Sequence, residues 1–338
     1  MKKNFIRRIS FLLTLIFVLS VLSGCTQEIQ EIQETQETQK TQKTQDIDYP
    51  SKTITMVSPY GAGGGSDLVT RVVAKYLEKY LNQTVIVNNI TGQSGVVGGR
   101  TVKDADPDGY TLLTQHSGML CLYHSGLAEF SYKDFNPVAF MVSGSEAIAV
   151  NAESPWNSIE DLINDAKSRP REISYGFSVG GTSNFLAESI MNEAGIKFKP
   201  VTYDGESERG TALAGGHVDV ISGSFPSLQG YVDADKVKIL GVVDTDRNSS
   251  YPDIPTLKEQ GFNVTDSYVA RGIFAPKGLP EEIMSILVDA LEKVSKDPDF
   301  AKDLAGLSYD PRFIAGDNLV KYLEEQDKLI DTLAKEAG

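Results

Sequence analysis

Four glycines crowd the ten-residue segment Ser58-Pro-Tyr-Gly-Ala-Gly-Gly-Gly-Ser-Asp67, and two different periodicities flank it. Before it, Thr53–Val57 mixes β-branched and apolar residues as a short strand does. After it, Leu68, Val69, Val72, Val73, Tyr76 and Leu77 recur at helical spacing, with Ser66 or Asp67 where an N-cap belongs. A tight strand–loop–helix junction aims backbone N–H groups and the positive end of a helix at one place, which is an anion site. A P-loop needs Gly-Lys-Ser/Thr at its end, and no lysine is present. A dinucleotide fingerprint needs Gly or Ala where Ser66 stands and an acid about 20 residues on, where Asn88 and Asn89 follow the next strand. Two readings of this loop remain, a structural glycine turn and a carboxylate-binding loop.

The pattern continues with a strand at Thr84–Val87, the turn Pro107-Asp-Gly109 and a strand at Tyr110–Thr114. A β-α-β-α-β order predicts a parallel sheet. A second unit starts near Glu146, and Ser158-Ile-Glu-Asp161 has capping-box form. Ile173–Phe177 reads as a strand that runs into another small-residue loop, Ser178-Val-Gly-Gly-Thr-Ser-Asn184, and then a helix. Val218–Ser222, Lys238–Val243 and Gly272–Ala275 are further strand candidates, and helices are predicted from Pro280 and Asp317. The second loop offers hydroxyls at Ser178, Thr182 and Ser183, although ordinary N-caps look the same. Its value lies in the pairing: one anion-friendly helix start in each of two lobes facing a single cleft.

The chain of 338 residues has 32 basic and 46 acidic side chains, a net charge of −14. Its N-terminus looks like an address. Lys2, Lys3, Arg7 and Arg8 precede an apolar run, Phe11–Leu22, that is short for a membrane span and ends in the lipobox-like Leu22-Ser-Gly-Cys25. Residues 1–24 are thus predicted to be a lipoprotein signal peptide, with Cys25 lipidated and the protein anchored to the bilayer outside the cytoplasm. Its removal leaves −18, too acidic for a nucleic-acid partner. Thr26–Asp48 is a polar three-residue repeat with almost nothing to bury, so residues 25–48 are expected to form a disordered tether spanning on the order of 25 Å. With Cys25 modified, Cys121 stands alone, and neither Cys/His nor His/His spacing suggests a metal. No cofactor motif and no Gly-x-Ser-x-Gly elbow appears, so no enzymatic activity is expected.

Tyr49-Pro-Ser-Lys-Thr-Ile-Thr55, Pro59–Asp67, Val87-Asn-Asn-Ile-Thr-Gly-Gln-Ser-Gly95, Asp106-Pro-Asp-Gly-Tyr-Thr-Leu112, Leu213-Ala-Gly-Gly-His-Val-Asp219 and Pro252-Asp-Ile-Pro-Thr256 appear in a definite order. In that ordered set the chain resembles the substrate-binding proteins of tripartite tricarboxylate transporters, the Bug family of extracytoplasmic solute receptors. The resemblance covers Tyr49 to the C-terminus. It implies an α/β periplasmic-binding-protein fold of the second type: residues 49–145 begin lobe 1, 146–268 form lobe 2 and 269–338 return to lobe 1. It implies a small carboxylate ligand, a di- or tricarboxylate or related organic acid, delivered to the membrane permease subunits of a tripartite transporter by a monomeric receptor. A sensory receptor feeding a membrane kinase would use the same site.

The resemblance also assigns ligand contacts. Tyr60, Gly61, Ala62, Gly63, Gly64, Ser66 and Asp67 come from the first loop, and Ser178, Thr182, Ser183 and Asn184 from the second. Tyr203 and Gly205 match a Tyr-Lys-Gly position in which Asp204 replaces the lysine, removing a cation. Ser224 follows a strand that lines the cleft in similar proteins. By position alone, His116 and Ser117 follow the strand Tyr110–Thr114, and Ser117 reads equally as a cleft contact or as a structural residue. Arg271 is either a bidentate carboxylate clamp or an ion-pair residue. His217, Trp156, Asp108 and Asp219 read as turn or packing residues, and Cys121 as a residue without function.

Overall fold

The computed structural model describes residues 47–248, 250–264 and 270–337. The expected signal peptide, Cys25, nearly all of the tether and the 268/269 boundary lie outside the described residues. From Tyr49 onward the chain forms one compact unit. Among the described residues no helix is long and apolar enough to cross a membrane.

The glycine loop lies between β1 (Ile54–Ser58) and α1 (Gly65–Leu81). There follow β2 (Val85–Asn89), α2 (Val96–Lys103), β3 (Thr111–His116), α3 (Gly118–His124) and β4 (Phe135–Ser143). The chain then passes through Gly144 and Ser145 into β5 (Glu146–Asn151), which belongs to a second sheet. That sheet is completed by α4 (Ile159–Ser168), β6 (Ser174–Phe177), α5 (Thr182–Ala194), β7 (Lys199–Thr202), α6 (Glu206–Ala214), β8 (Val220–Ser224), α7 (Phe225–Asp233) and β9 (Val237–Val243). The chain then returns to the first sheet with β10 (Arg271–Pro276), α8 (Glu281–Ser295), α9 (Pro298–Ala305), β11 (Asp310–Ala315) and α10 (Gly316–Ala337).

The first sheet has the order β11-β4-β10-β3-β1-β2, the second β7-β6-β8-β5-β9. β1 pairs in parallel with β2 and β3, in keeping with the β-α-β order. The sheets are nevertheless mixed, which corrects the expectation of a parallel sheet. β10 runs antiparallel to both β3 and β4, and β5 antiparallel to both β8 and β9. Each of these strands begins where the chain has just crossed between the sheets, so its direction is set by the crossover rather than by a right-handed β-α-β turn.

Strand alternation sends neighbours to opposite faces. Met56, Leu112 and Ile273 pack with Val73 and Leu77 of α1, Leu287 and Leu291 of α8, and Phe300 of α9. Val57, Leu113 and Phe274 pack on the other face with α3 and with Leu319, Leu323 and Ile330 of α10. In the second sheet Ile148 and Val150 face α4 and α5, while Ala147 and Ala149 face α6 and α7. Each fully buried Leu or Phe in these layers stabilises the fold by about 1.5–3 kcal/mol. Helix α4 is held at its start by Ser158, whose hydroxyl accepts the Asp161 N–H at 3.0 Å. At the first crossover, a Cβ on Gly144 would run into the ring of buried Tyr309, so glycine is the residue that lets the chain pass there.

Candidate ligand-binding site

The first loop is held by hydrogen bonds among its own residues and β2. Asp67 is 2% exposed and turns back on its own loop, accepting the Gly63 N–H at 2.9 Å, Arg71 Nε at 3.0 Å and Asn89 Nδ2 at 2.8 Å. Burial opposes its ionisation, but the Arg71, Gly63 and Asn89 donors outweigh it and hold the carboxyl below the usual range. Asn89 also donates to the Tyr60 carbonyl at 2.9 Å, tying the loop to the end of β2. Tyr60 donates to Gln115 Oε1 at 3.0 Å and stacks on His116, with ring centres 5.3 Å apart.

The two sheets meet across a cleft with a cavity volume of about 50 Å³. Since one water needs roughly 10–15 Å³, this arrangement admits only a few water-sized groups at once. The first lobe lines it with Tyr60, Gly61, Gly64 and Ser66, and also with Ser94, His116 and Arg271. The second lobe contributes Ser178, Gly181, Thr182 and Ser183 at the start of α5, Gly205, Glu206 and Arg209 around the start of α6, and Glu146 at the start of β5.

The lobes touch through carboxylates. Glu206 Oε2 accepts the Gly65 N–H at 2.9 Å, so the open end of α1 is partly filled by a side chain from the other lobe. The same carboxylate accepts Ser227 Oγ at 2.7 Å and the Ser224 N–H at the start of α7. Burial alone would raise its pKa. The Arg209 charge and the Ser227 and Ser224 hydrogen bonds prevail, and it stays below the ordinary glutamate value. Asp204, standing where the resemblance expects lysine, accepts the Ser94 N–H at 3.0 Å and makes a second lobe-to-lobe bond.

Arg209 is 6% exposed. Its Nη1 donates to Ser178 Oγ, itself the first residue of the second loop, at 2.6 Å. Its Nε is buried with no hydrogen-bond partner among the described residues. Arg271, 4% exposed, lies over the Tyr309 ring at 4.8 Å from its centre. Burial, reinforced by the two arginine charges, drives the His116 pKa down to about 3. His116 is therefore neutral, and because Nδ1 accepts the Gly118 N–H at 2.9 Å, its hydrogen sits on Nε2. Glu146 behaves oppositely: burial, then the charge of Glu206, push it up to about 7 against the pull of Arg271 and Arg209.

The sequence-predicted residues divide. Tyr60, Gly61, Gly64, Ser66, Ser178, Thr182, Ser183, Gly205 and Arg271 line the cleft. Ala62, Gly63, Asp67, Ser117, Asn184, Tyr203 and Ser224 do not. Ala62 and Gly63 are exposed on the loop's outer side. Asp67 serves the loop itself, as described above. Asn184 donates to Glu188 at 2.6 Å, one turn along α5. Ser117 is buried at the start of α3, and the Ser224 hydroxyl is buried and donates to Ser227 Oγ at 3.1 Å. Tyr203 packs toward Gly176. Sequence reasoning missed Ser94, Gly181, Glu146, Glu206 and Arg209. The available signals were Glu146 heading an otherwise apolar strand and the charged run Glu206-Ser-Glu-Arg209 just after Tyr203-Asp-Gly205.

Taken together, the cleft presents two guanidinium groups, a neutral histidine donor, serine and threonine hydroxyls and the start of α5, which is a setting for a carboxylate. Residues 69–338 match the family described as "Tripartite tricarboxylate transporter family receptor". A Cupriavidus necator protein, the UPF0065 protein in the gbd 5' region, is 30% identical over 86% of this chain and 89% of its own length. Protein BugT of Bordetella pertussis is 28% identical over 71% of this chain and 75% of its own length. Among solved structures, the periplasmic binding protein BugD aligns with a TM-score of 0.81 at 27% identity, covering 86% of this chain and 99% of that one. A Rhodopseudomonas palustris protein solved with adipate aligns with a TM-score of 0.82 at 25% identity, covering 86% and 99%. The chain belongs to the tripartite tricarboxylate transporter receptor family, the TctC/Bug-type periplasmic solute-binding proteins.

Proposed function

We propose that this receptor, anchored outside the cytoplasm through a lipidated Cys25, captures a small carboxylate and delivers it to the membrane subunits of a tripartite tricarboxylate-type transporter. One observation carries the ligand class: the Arg209 guanidinium is buried in the cleft wall, and among the described residues its Nε is unsatisfied and no acidic side chain lies within ion-pair distance. A buried cation of this kind calls for an anion. The R. palustris relative with adipate supports an organic acid in particular. Each lobe supplies part of the grip, the first through Arg271 and the Tyr60–Ser66 loop, the second through Arg209 and the start of α5. A ligand held by both lobes favours the closed arrangement by its differential affinity for it.

A thermal-shift panel tests this reading: citrate, tartrate, succinate, adipate, glutamate, terephthalate and nicotinate, against neutral sugars. At least one carboxylate is expected to raise Tm. A shift with sugars alone would refute the ligand class. For the anchor, Cys25→Ser is expected to move the protein from the membrane fraction to the soluble one, and unchanged partition would count against lipidation at Cys25.

A further inference from the structure

Helix α1 does not cap itself. Its N-cap is Gly64, which has no side chain to accept an N–H of the buried first turn. The acceptor comes from the other lobe, where Glu206 Oε2 takes the Gly65 N–H at 2.9 Å. Glu206 is itself the first residue of α6, and its other oxygen accepts the Ser224 N–H and, at 2.7 Å, the Ser227 hydroxyl at the start of α7. Three helix starts, one from lobe 1 and two from lobe 2, thus share one carboxylate, and their positive ends favour its charge. The approach is close: a Cβ on Gly61 would come within 2.8 Å of Ser207 Oγ, so the glycine loop lies directly on the start of α6. Both partners belong to the chain, so the contact needs no solute.

We propose that Glu206 is a latch, a carboxylate of lobe 2 that caps the first helix of lobe 1 and holds the two lobes together in the absence of solute. The lobes cannot part without uncapping the Gly65 N–H and taking from the carboxylate one of its three donors. Glu206 stays ionised through the neutral range, as its lowered pKa requires. A receptor biased toward closure by its own side chain has more of the binding-competent form ready when solute arrives, and the open fraction weakens its apparent affinity less. Glu206 is therefore a positioning residue, acting on the equilibrium between the lobes. A reporter lies elsewhere on the same boundary: the Ser94 N–H of lobe 1 donates to Asp204 of lobe 2 at 3.0 Å, a bond in which Glu206 takes no part.

Hydrogen exchange of the Ser94 amide tests the latch, measured by NMR on the full-length protein after unfolding and refolding have removed any bound solute. In the native protein this amide is expected to be protected. In Glu206→Ala its exchange is expected to quicken at least tenfold. Acetate, which returns a carboxylate to the seat between Gly65 and Ser224, is expected to slow it again, and by more than it slows exchange in the native protein. Sodium chloride at the same ionic strength is expected to leave it unchanged. Glu206→Gln sets an NH2 against one of the two N–H groups and is expected to quicken exchange too, which decides the matter if the alanine variant does not fold. An unprotected Ser94 amide in the native protein overturns the inference. So does a native rate at Ser94 in a folded variant while Gly65 and Ser224 quicken, because Glu206 would then serve only the helix ends it touches. An equal response of native protein and Glu206→Ala to acetate overturns it as well.

Discussion

Replacing Glu146 by glutamine keeps the shape of the residue and removes its titration, which makes the electrostatics of the cleft measurable in the ligand-free protein. Burial, then the negative charge of Glu206, raise the Glu146 pKa from the ordinary 4.5 to about 7. The groups facing it are Glu206 and Arg209 from α6, Arg271 from β10 and Tyr309 ahead of β11, with His116 and Tyr60 across the same cleft. Between these two values the folded state holds a proton that the unfolded state has released. Stability from this group is therefore complete below pH 4.5 and lost as the pH rises through 7. At about 1.4 kcal/mol per tenfold, the loss amounts to about 3 kcal/mol. His116 works in the opposite sense, because its folded pKa of about 3 lies below the ordinary 6.5 and its contribution grows with pH over that window. Comparing native protein with Glu146→Gln cancels the histidine. Urea unfolding followed by the fluorescence of Trp156, the single tryptophan, at pH 5, 6, 7 and 8 gives the difference. The variant is expected to gain on the native protein by about 3 kcal/mol from the acid to the alkaline end. A difference that stays flat to within about 1 kcal/mol would refute the claim that Glu146 is an isolated carboxyl in a shielded cleft.

Two further substitutions probe the lobe contact and the loop. Gly65→Ala puts a Cβ 2.6 Å from Tyr309 Oη and closer still to Ser224 Oγ, so the lobes cannot meet as they do here. Ligand affinity is expected to fall at least tenfold, and unchanged affinity would show that this contact is dispensable. Asp67→Ala removes the acceptor for Gly63, Arg71 and Asn89 in a buried position and is expected to cost about 1–3 kcal/mol in urea unfolding, whereas a loss below about 0.5 kcal/mol would contradict its structural role.

Much of the fold was legible because its strands announce themselves locally. β1, β2, β3, β6, β8, β9 and β10 lie within two residues of the runs that β-branched composition and turn signals pick out. The missed strands have physical reasons. β11 carries Asp310, Pro311 and Arg312 and survives as a strand because it is an edge, where a proline and charges face outward. β7, Lys199–Thr202, is the edge of the other sheet and is short, with Pro200 inside it. β4 and β5 follow one another across Gly144 and Ser145, and no periodicity distinguishes two strands in different sheets from one interrupted run. The antiparallel placement of β10 depends on a partner about 130 residues away, which local pattern does not encode.

The candidate site was legible where backbone makes it and illegible where charge does. Glycine loops before helices mark themselves, and both loops do line one cleft. Nothing local tells that the α1 opening receives Glu206 from the other lobe, since the two residues at that bond are 141 positions apart. The same holds for Arg209, which reads in sequence as an ordinary helical arginine and lies buried against the second loop.

The central claim is that a carboxylate is gripped by a buried guanidinium on the wall of this cleft. Isothermal titration of the best-binding carboxylate into native protein and Arg209→Gln tests it most directly, with circular dichroism to confirm that the variant is folded. One ligand per chain is expected, with affinity reduced at least tenfold in the folded variant. Undiminished affinity in a folded Arg209→Gln protein would contradict the account.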